Sequence, residues 1–293
     1  MNRRGKDTAP SPEQRPGSVL PGLVPPPPQD FALRVLQRVG IPRERYDTYV
    51  RLDVPAGGLF VAATAQAVTG AALDGAGLTA TGFEELHHAR TGRSAIPAAK
   101  PFPGLTTALR TGRAARLPID LSGLDAADRT VLEAVRTVPA GQLRPVSWIA
   151  REAGLTGPDV REAGLTGPDV PEGGLTGPDV WEAVVGALAR NPVVVLVPCH
   201  RVTYDNGVPC DAAQLPDAGA ALRAAEGIDM GRVDELLDRG AVFLGSDTTR
   251  IYCHPTCAHA RRITRPHQVP FGTARDARRA GYRACKSCRP VAA

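Results

Sequence analysis

The chain has 293 residues, 43% of them hydrophobic, which is enough for two or three domains with real cores. Its net charge of +5 and pI near 9.0 lean toward polyanionic partners. No apolar run reaches membrane-spanning length, and the opening MNRRGKDTAPSPEQRPG lacks the apolar core of a signal peptide, so we expect a cytoplasmic protein without a membrane partner.

Residues 1–30 hold eight prolines, and a segment so composed cannot bury enough surface to offset its ordering entropy. We therefore expect a disordered tail over 1–44. Between 46 and 73, apolar and alternating runs flank a Pro-Ala-Gly-Gly turn and predict a β-hairpin; 83–90 predicts a helix. Together they suggest a small α/β lobe over 45–103, joined by a connector at 101–118 to a helical domain over 117–228. There Ser122 or Asp125 can cap a helix that carries Val131, Leu132, Val135 and Val138 on one face, and Ser147 can cap a short second helix closed by Gly154. A ten-residue unit then recurs: REAGLTGPDV at 151–160 and 161–170, and PEGGLTGPDV at 171–180. With Gly and Pro in each copy it cannot stack into a core and reads as a duplicated loop. A further helix over 180–190 is expected, with Asp179 as N-cap and Glu182 completing a capping box.

Residues 191–202 read NPVVVLVPCHRV. The β-branched run at 193–197 predicts a buried extended segment ending at Cys199, a soft nucleophile whose attacking form is the thiolate. His200 beside it, helped by a carboxylate, can generate that thiolate. An arbitrary Cys-His pair is more often a core cysteine beside a surface histidine; here the flanks argue otherwise.

Two short cysteine spacings follow in a separate small module at 230–290: Cys253-x-x-x-Cys257 and Cys285-x-x-Cys288, with 27 residues between the pairs. Four thiolates so spaced suit a closed zinc site, and a module this small needs such a staple. His254 and His259 are available as substitute ligands. Residues 250–289 carry ten Arg or Lys and a single acid, Asp276, a balance that suits phosphate contact through residues such as Arg261, Arg262 and Arg265.

The run Asn-Pro, aliphatics, Pro-Cys-His-Arg-Val resembles the active-site signature of the O6-alkylguanine-DNA alkyltransferases, and the resemblance extends over about 45–228. It implies an α/β (α+β) fold with a small N-terminal α/β lobe and a helical, winged-helix-like catalytic lobe. It further implies that Cys199 would be the alkyl acceptor, His200 its base through a water, Glu226 the carboxylate orienting that histidine and Asn191 the brace of the active-site turn. The chain departs from the family pattern elsewhere: Glu182 replaces an intercalating arginine, Val146 a tyrosine that helps rotate the nucleotide, and Ala212, Gln214 and Leu215 replace the Tyr-x-Gly-Gly wall of the alkyl pocket.

TTRIYCHPTC and AGYRACKSCRP, from about 243 to 290, resemble the zinc-binding methyl-acceptor domain of the Ada repair protein. That resemblance implies zinc on Cys253, Cys257, Cys285 and Cys288, with Cys253 taking a methyl from a methylphosphotriester. The expectation is a monomeric, stoichiometric acceptor of alkyl groups from double-stranded DNA. The alternative, from another class, is a non-enzymatic damage sensor whose alkyltransferase domain has decayed and whose zinc is structural.

Overall fold

The computed structural model describes residues 28, 30–155, 177–210 and 216–290. The segment at 1–27, most of the tandem repeat (156–176) and the positions of Ala212, Gln214 and Leu215 lie outside the described residues.

Within the stretch expected as tail, Phe31–Arg38 forms a helix (α1), with Asp30 at its N-cap position paired to Arg34 one turn on at 2.9 Å. None of its residues is buried.

The first lobe is a four-stranded sheet in the order β3-β2-β1-β4, from Tyr46–Val54 (β1), Gly57–Ala63 (β2), Val68–Leu73 (β3) and Ser94–Pro97 (β4). The expected hairpin is the antiparallel β1–β2 pair, closed where Val54 opposes Gly57, and β3 extends it into a meander. The helix Ala80–Thr91 (α2) then crosses over, so β4 lies parallel to β1. Alternation of side chains gives the sheet two buried faces. Tyr49 and Phe60 pack on Phe83 of α2 at ring separations of 5.4 and 5.2 Å, while Val50, Leu59, Val61 and Ala71 face the helical lobe. Beneath α2, buried Asp47 accepts hydrogen bonds from Arg93 and Thr69 and pairs with His87 at 2.9 Å, which ties β1, β3 and α2 together.

The connector is not featureless: Leu105–Thr111 is a short helix (α3) between Gly104 and Gly112, both with positive φ. In the second lobe, Ala126–Arg136 (α4) begins as expected at Asp125, whose carboxylate accepts from the Asp128 N–H. Val131, Leu132 and Val135 are buried against Val146–Glu152 (α5) and Gly177–Ala189 (α6). Two N-terminal expectations need correction. Pro145 occupies the N-cap position of α5, and Ser147 lies in the first turn, its hydroxyl bonded to Asp205; the pairing of Pro145 with Thr203 holds the chain extended up to that point. α6 starts at Gly177, so Asp179 is a first-turn acid, still favourable toward the helix dipole, and not the cap. A short parallel pair, Arg144–Pro145 (β5) with Val202–Thr203 (β6), stitches the start of α5 to the segment after Cys199. Pro216–Ala225 (α7) then leads to Glu226.

After Met230–Asp238 (α8), the last module is a second four-stranded sheet in the order β10-β8-β7-β9, from Phe243–Ser246 (β7), Ile251–Cys253 (β8), Gln268–Phe271 (β9) and Arg283–Ala284 (β10), with the helix Ala274–Arg279 (α9) before β10. Its apolar core is small: Phe243, Tyr252, Phe271, Ala274, Ala277 and Tyr282. No helix among the described residues is long and apolar enough to cross a membrane.

Candidate functional site

The segment expected to be extended is instead a tight turn. Val195 has φ +72°, and the Val197 N–H reaches back to the Val193 carbonyl at 2.9 Å. β-branched residues resist that left-handed geometry, and Asn191 imposes it. The Asn191 side-chain Oδ1 accepts from the Val193 N–H (2.9 Å), and its Nδ2 donates to the Val197 carbonyl (3.2 Å) and to Cys199 Sγ (3.1 Å). Val193, Leu196 and Val197 are buried beneath the turn, so the apolar run anchors the loop and meets β3 through a single bridge, Val193 with Ala71. Cys199 follows Pro198 at the head of a single 3₁₀ turn and is 8% exposed.

His200 Nε2 lies 3.0 Å from Glu226 Oε1. Arg201, to which sequence reasoning gave no role, holds both oxygens of that carboxylate through its guanidinium and also donates to the carbonyls of Val138 and Gly112 at 2.7 Å. The Gly141 N–H adds a bond to Glu226 Oε2 at 2.9 Å. Gly141 has φ +73°, and a Cβ there would sit 3.0 Å from the Glu226 carbonyl, so glycine is required for this approach. Burial acts to raise the Glu226 carboxyl, but hydrogen bonds from His200 and Arg201, with the charge of Arg201, outweigh it and leave the group at about 2. A depressed carboxyl contributes stability above its unfolded value and loses it as pH falls through the folded one. Between about pH 4.5 and 2 the fold should therefore lose on the order of 3 kcal/mol from this group, and Glu226→Gln should flatten that part of the acid-denaturation curve. An unchanged acid limb would remove Glu226 from this role. A cavity of about 610 Å³ opens beside the pair, lined among others by Gly112, Arg136, His200, Arg201, Glu226 and, from the last module, Arg261.

The family departures fall on two kinds of surface. Val146 is a core residue of α5, packed with Trp148 and Ile149. Glu182 is exposed on α6 next to Trp181, which stacks on Tyr204 at 4.6 Å.

In the last module the four cysteines converge. Their sulfurs lie within 4.8 Å of one another, all four are buried, and none forms a disulfide. β8 carries Cys253, the turn after it Cys257, and the segment after β10 carries Cys285 and Cys288. The thiols of Cys253 and Cys288 hydrogen-bond to Cys257 and pull its pKa down, while Cys253 is pushed up by the same contacts. A soft, all-sulfur donor set in a closed pocket fits zinc. Neither histidine completes it: His259 Nδ1 sits 3.3 Å from Cys285 Sγ, outside the cluster, and His254 packs against the ring of Phe243 at 5.3 Å.

All ten Arg and Lys residues from Arg250 to Arg289 are exposed, Arg261, Arg262 and Arg265 among them on two short turns beside the cysteines. If they contact phosphates, neutralising those three should weaken DNA binding and reduce the slope of log affinity against log salt by roughly two to three. An unaltered slope would mean a face that is merely solvated.

Residues 126–228 match the family model described as 6-O-methylguanine DNA methyltransferase, DNA binding domain, and residues 234–291 match the metal binding domain of Ada. No curated protein matches the chain. Similar solved structures include an O6-methylguanine methyltransferase of Mycobacterium tuberculosis, at 23% identity over 64% of this chain and 99% of that one, TM-score 0.41. O6-methylguanine-DNA methyltransferase from Pyrococcus kodakaraensis KOD1 is another, at 18% identity over 62% and 99%, TM-score 0.40. The first match contains Cys199 and the second contains the four clustered cysteines. The chain therefore carries in series a region that matches the DNA-binding domain of 6-O-methylguanine DNA methyltransferase and a region that matches the metal binding domain of Ada.

Proposed function

We propose that the protein repairs alkylated double-stranded DNA by moving alkyl groups onto its own cysteines, once per acceptor. The observation that carries this reading is the pairing, in one chain, of an Asn191-braced Cys199 beside a partly buried His200–Glu226 pair with a buried four-cysteine centre, each inside the matching family domain.

At the first site the Cys199 thiolate attacks the alkyl carbon on guanine O6. The C–S bond forms as the C–O bond breaks, and the electron pair returns to the base, which takes up a proton. His200 accepts the thiol proton, through a water by family resemblance, and Glu226 stabilises the imidazolium. At the second site Cys253 attacks the methyl carbon of a methylphosphotriester, and the phosphate leaves as an ordinary diester with its negative charge restored. Zinc, when bound, keeps the four sulfurs ionised. A thioether is not readily cleaved, so neither acceptor regenerates. The surrounding residues would hold duplex DNA through the exposed arginines of the last module and the outer face of α6.

DNA carrying radiolabelled methyl on both guanine and phosphate should deliver two methyls per chain at saturation. Cys199→Ser and Cys253→Ser should each deliver one. Repeated turnover, or DNA binding with no protein-bound label, would overturn this reading. The second outcome would favour the damage sensor, a reading supported by the exposed carboxylate of Glu182 on the helix expected to meet phosphates.

A further inference from the structure

The two domains are not strung apart; they share a buried contact, and its centre is an arginine. Arg144 is 2% exposed. Its Nη1 donates to the Leu143 carbonyl (2.7 Å), its Nη2 to Gln142 Oε1 (2.6 Å), and its Nε has no partner. Among the described residues no carboxylate pairs with it, and a buried guanidinium without an anion is costly. The guanidinium lies over the ring of Trp148 at 5.4 Å, and Trp148 Nε1–H donates to the carbonyl of Cys288 at 2.9 Å. On its other side, the Leu143 N–H donates to Thr256 Oγ1 at 2.7 Å, between Cys253 and Cys257 in the sequence. Arg144 is thus held between two contacts that both end on the cysteine loops.

We propose that Arg144, supplied by the methyltransferase-type domain, is the counter-charge of the four-cysteine centre in the neighbouring domain, so that metal loading and domain docking stabilise each other. This rests on the four cysteines holding a metal. A dication bound by four thiolates leaves a net double negative charge, which a buried guanidinium complements. Burial pushes the Arg144 guanidinium below its ordinary pKa, and all four cysteines oppose that push. At the rim, Arg289 pairs with Glu152, and Arg151 donates to the Arg289 carbonyl at 2.7 Å, which seats the loop after Cys288 on α5.

The test uses the full chain as wild type, Arg144→Gln and Arg144→Lys, with zinc affinity measured by competition against a chromophoric chelator and thermal midpoints taken on zinc-loaded and zinc-stripped protein. The glutamine variant should bind zinc more weakly by on the order of tenfold, and zinc should raise its midpoint less than it raises that of the wild type. The lysine variant, which keeps the charge, should stay within a few-fold of wild type. Zinc affinity unchanged in Arg144→Gln, with equal destabilisation of loaded and stripped protein, would reduce Arg144 to a packing role and overturn the proposal. Arg144→Met, which keeps the volume and drops the charge, decides by the same outcomes should the glutamine variant fail to fold. Wild-type protein that binds no zinc would instead sink the metal reading on which the proposal rests, and that result is separate from the variant comparison.

Discussion

Stripping zinc should unfold the module at 234–291 while leaving the β3-β2-β1-β4 sheet and α4 to α6 folded. The sheet of β7 to β10 closes over only six core side chains, four aromatics and two alanines, and both ends of the cysteine cluster sit on short strands or turns. So small a core does not offset the ordering of nearly sixty residues, whereas structural zinc in short modules contributes apparent binding energies of about 10–16 kcal/mol. Chelation followed by limited proteolysis should cut after α8 first. Metal analysis of zinc-replete protein should give one zinc per chain. A module that survives chelation intact would show that docking through Trp148 of α5 and Leu143 before β5 is sufficient by itself.

The second large effect concerns Cys199 and duplex DNA. On the proposed reading Cys199 can be activated, since Asn191 reaches the sulfur and His200 is backed by Glu226. Extrusion of a stacked guanine costs a few kcal/mol, and the groups that offset it in the family are absent: Glu182 stands exposed where an arginine is expected, and Val146 is spent in the core. Each 1.36 kcal/mol of lost transition-state stabilisation slows transfer about tenfold. Cys199 should therefore react readily with a free O6-alkylated base analogue but roughly a hundredfold or more slower with O6-methylguanine in duplex. Glu182→Arg should raise the duplex rate more than the free-base rate. Wild-type protein that clears duplex O6-methylguanine at near-diffusional speed would show that this reading of Glu182 and Val146 is wrong.

Local signals carried much of the architecture. The Asp125 cap, the apolar face of α4 and the alternation of β1 and β2 each follow from a few neighbouring residues, and the structure has them. Where expectation and structure part, a distant group decides. The valine run at 193–197 has strand propensity, yet the Asn191 side chain bends it into a turn that no propensity scale contains. Pro145 displaced Ser147 as the start of α5 because β5 pairs with β6 there, a long-range contact. The four cysteines were legible from spacing because a metal constrains spacing directly. Arg201 and Arg144 were not: one braces Glu226 and the other faces the cysteine loops, and each lies far in sequence from the group it serves.

The most direct test of the account is to incubate the purified chain with duplex DNA methylated either at guanine O6 alone or at phosphate alone, and to locate the methyl by peptide mass. The account predicts methyl on Cys199 from the guanine substrate, slowly formed, and on Cys253 from the phosphotriester substrate, with Cys257, Cys285 and Cys288 unmodified. Methyl scattered over all four metal-site cysteines, or DNA bound with no methyl on any cysteine, would contradict it.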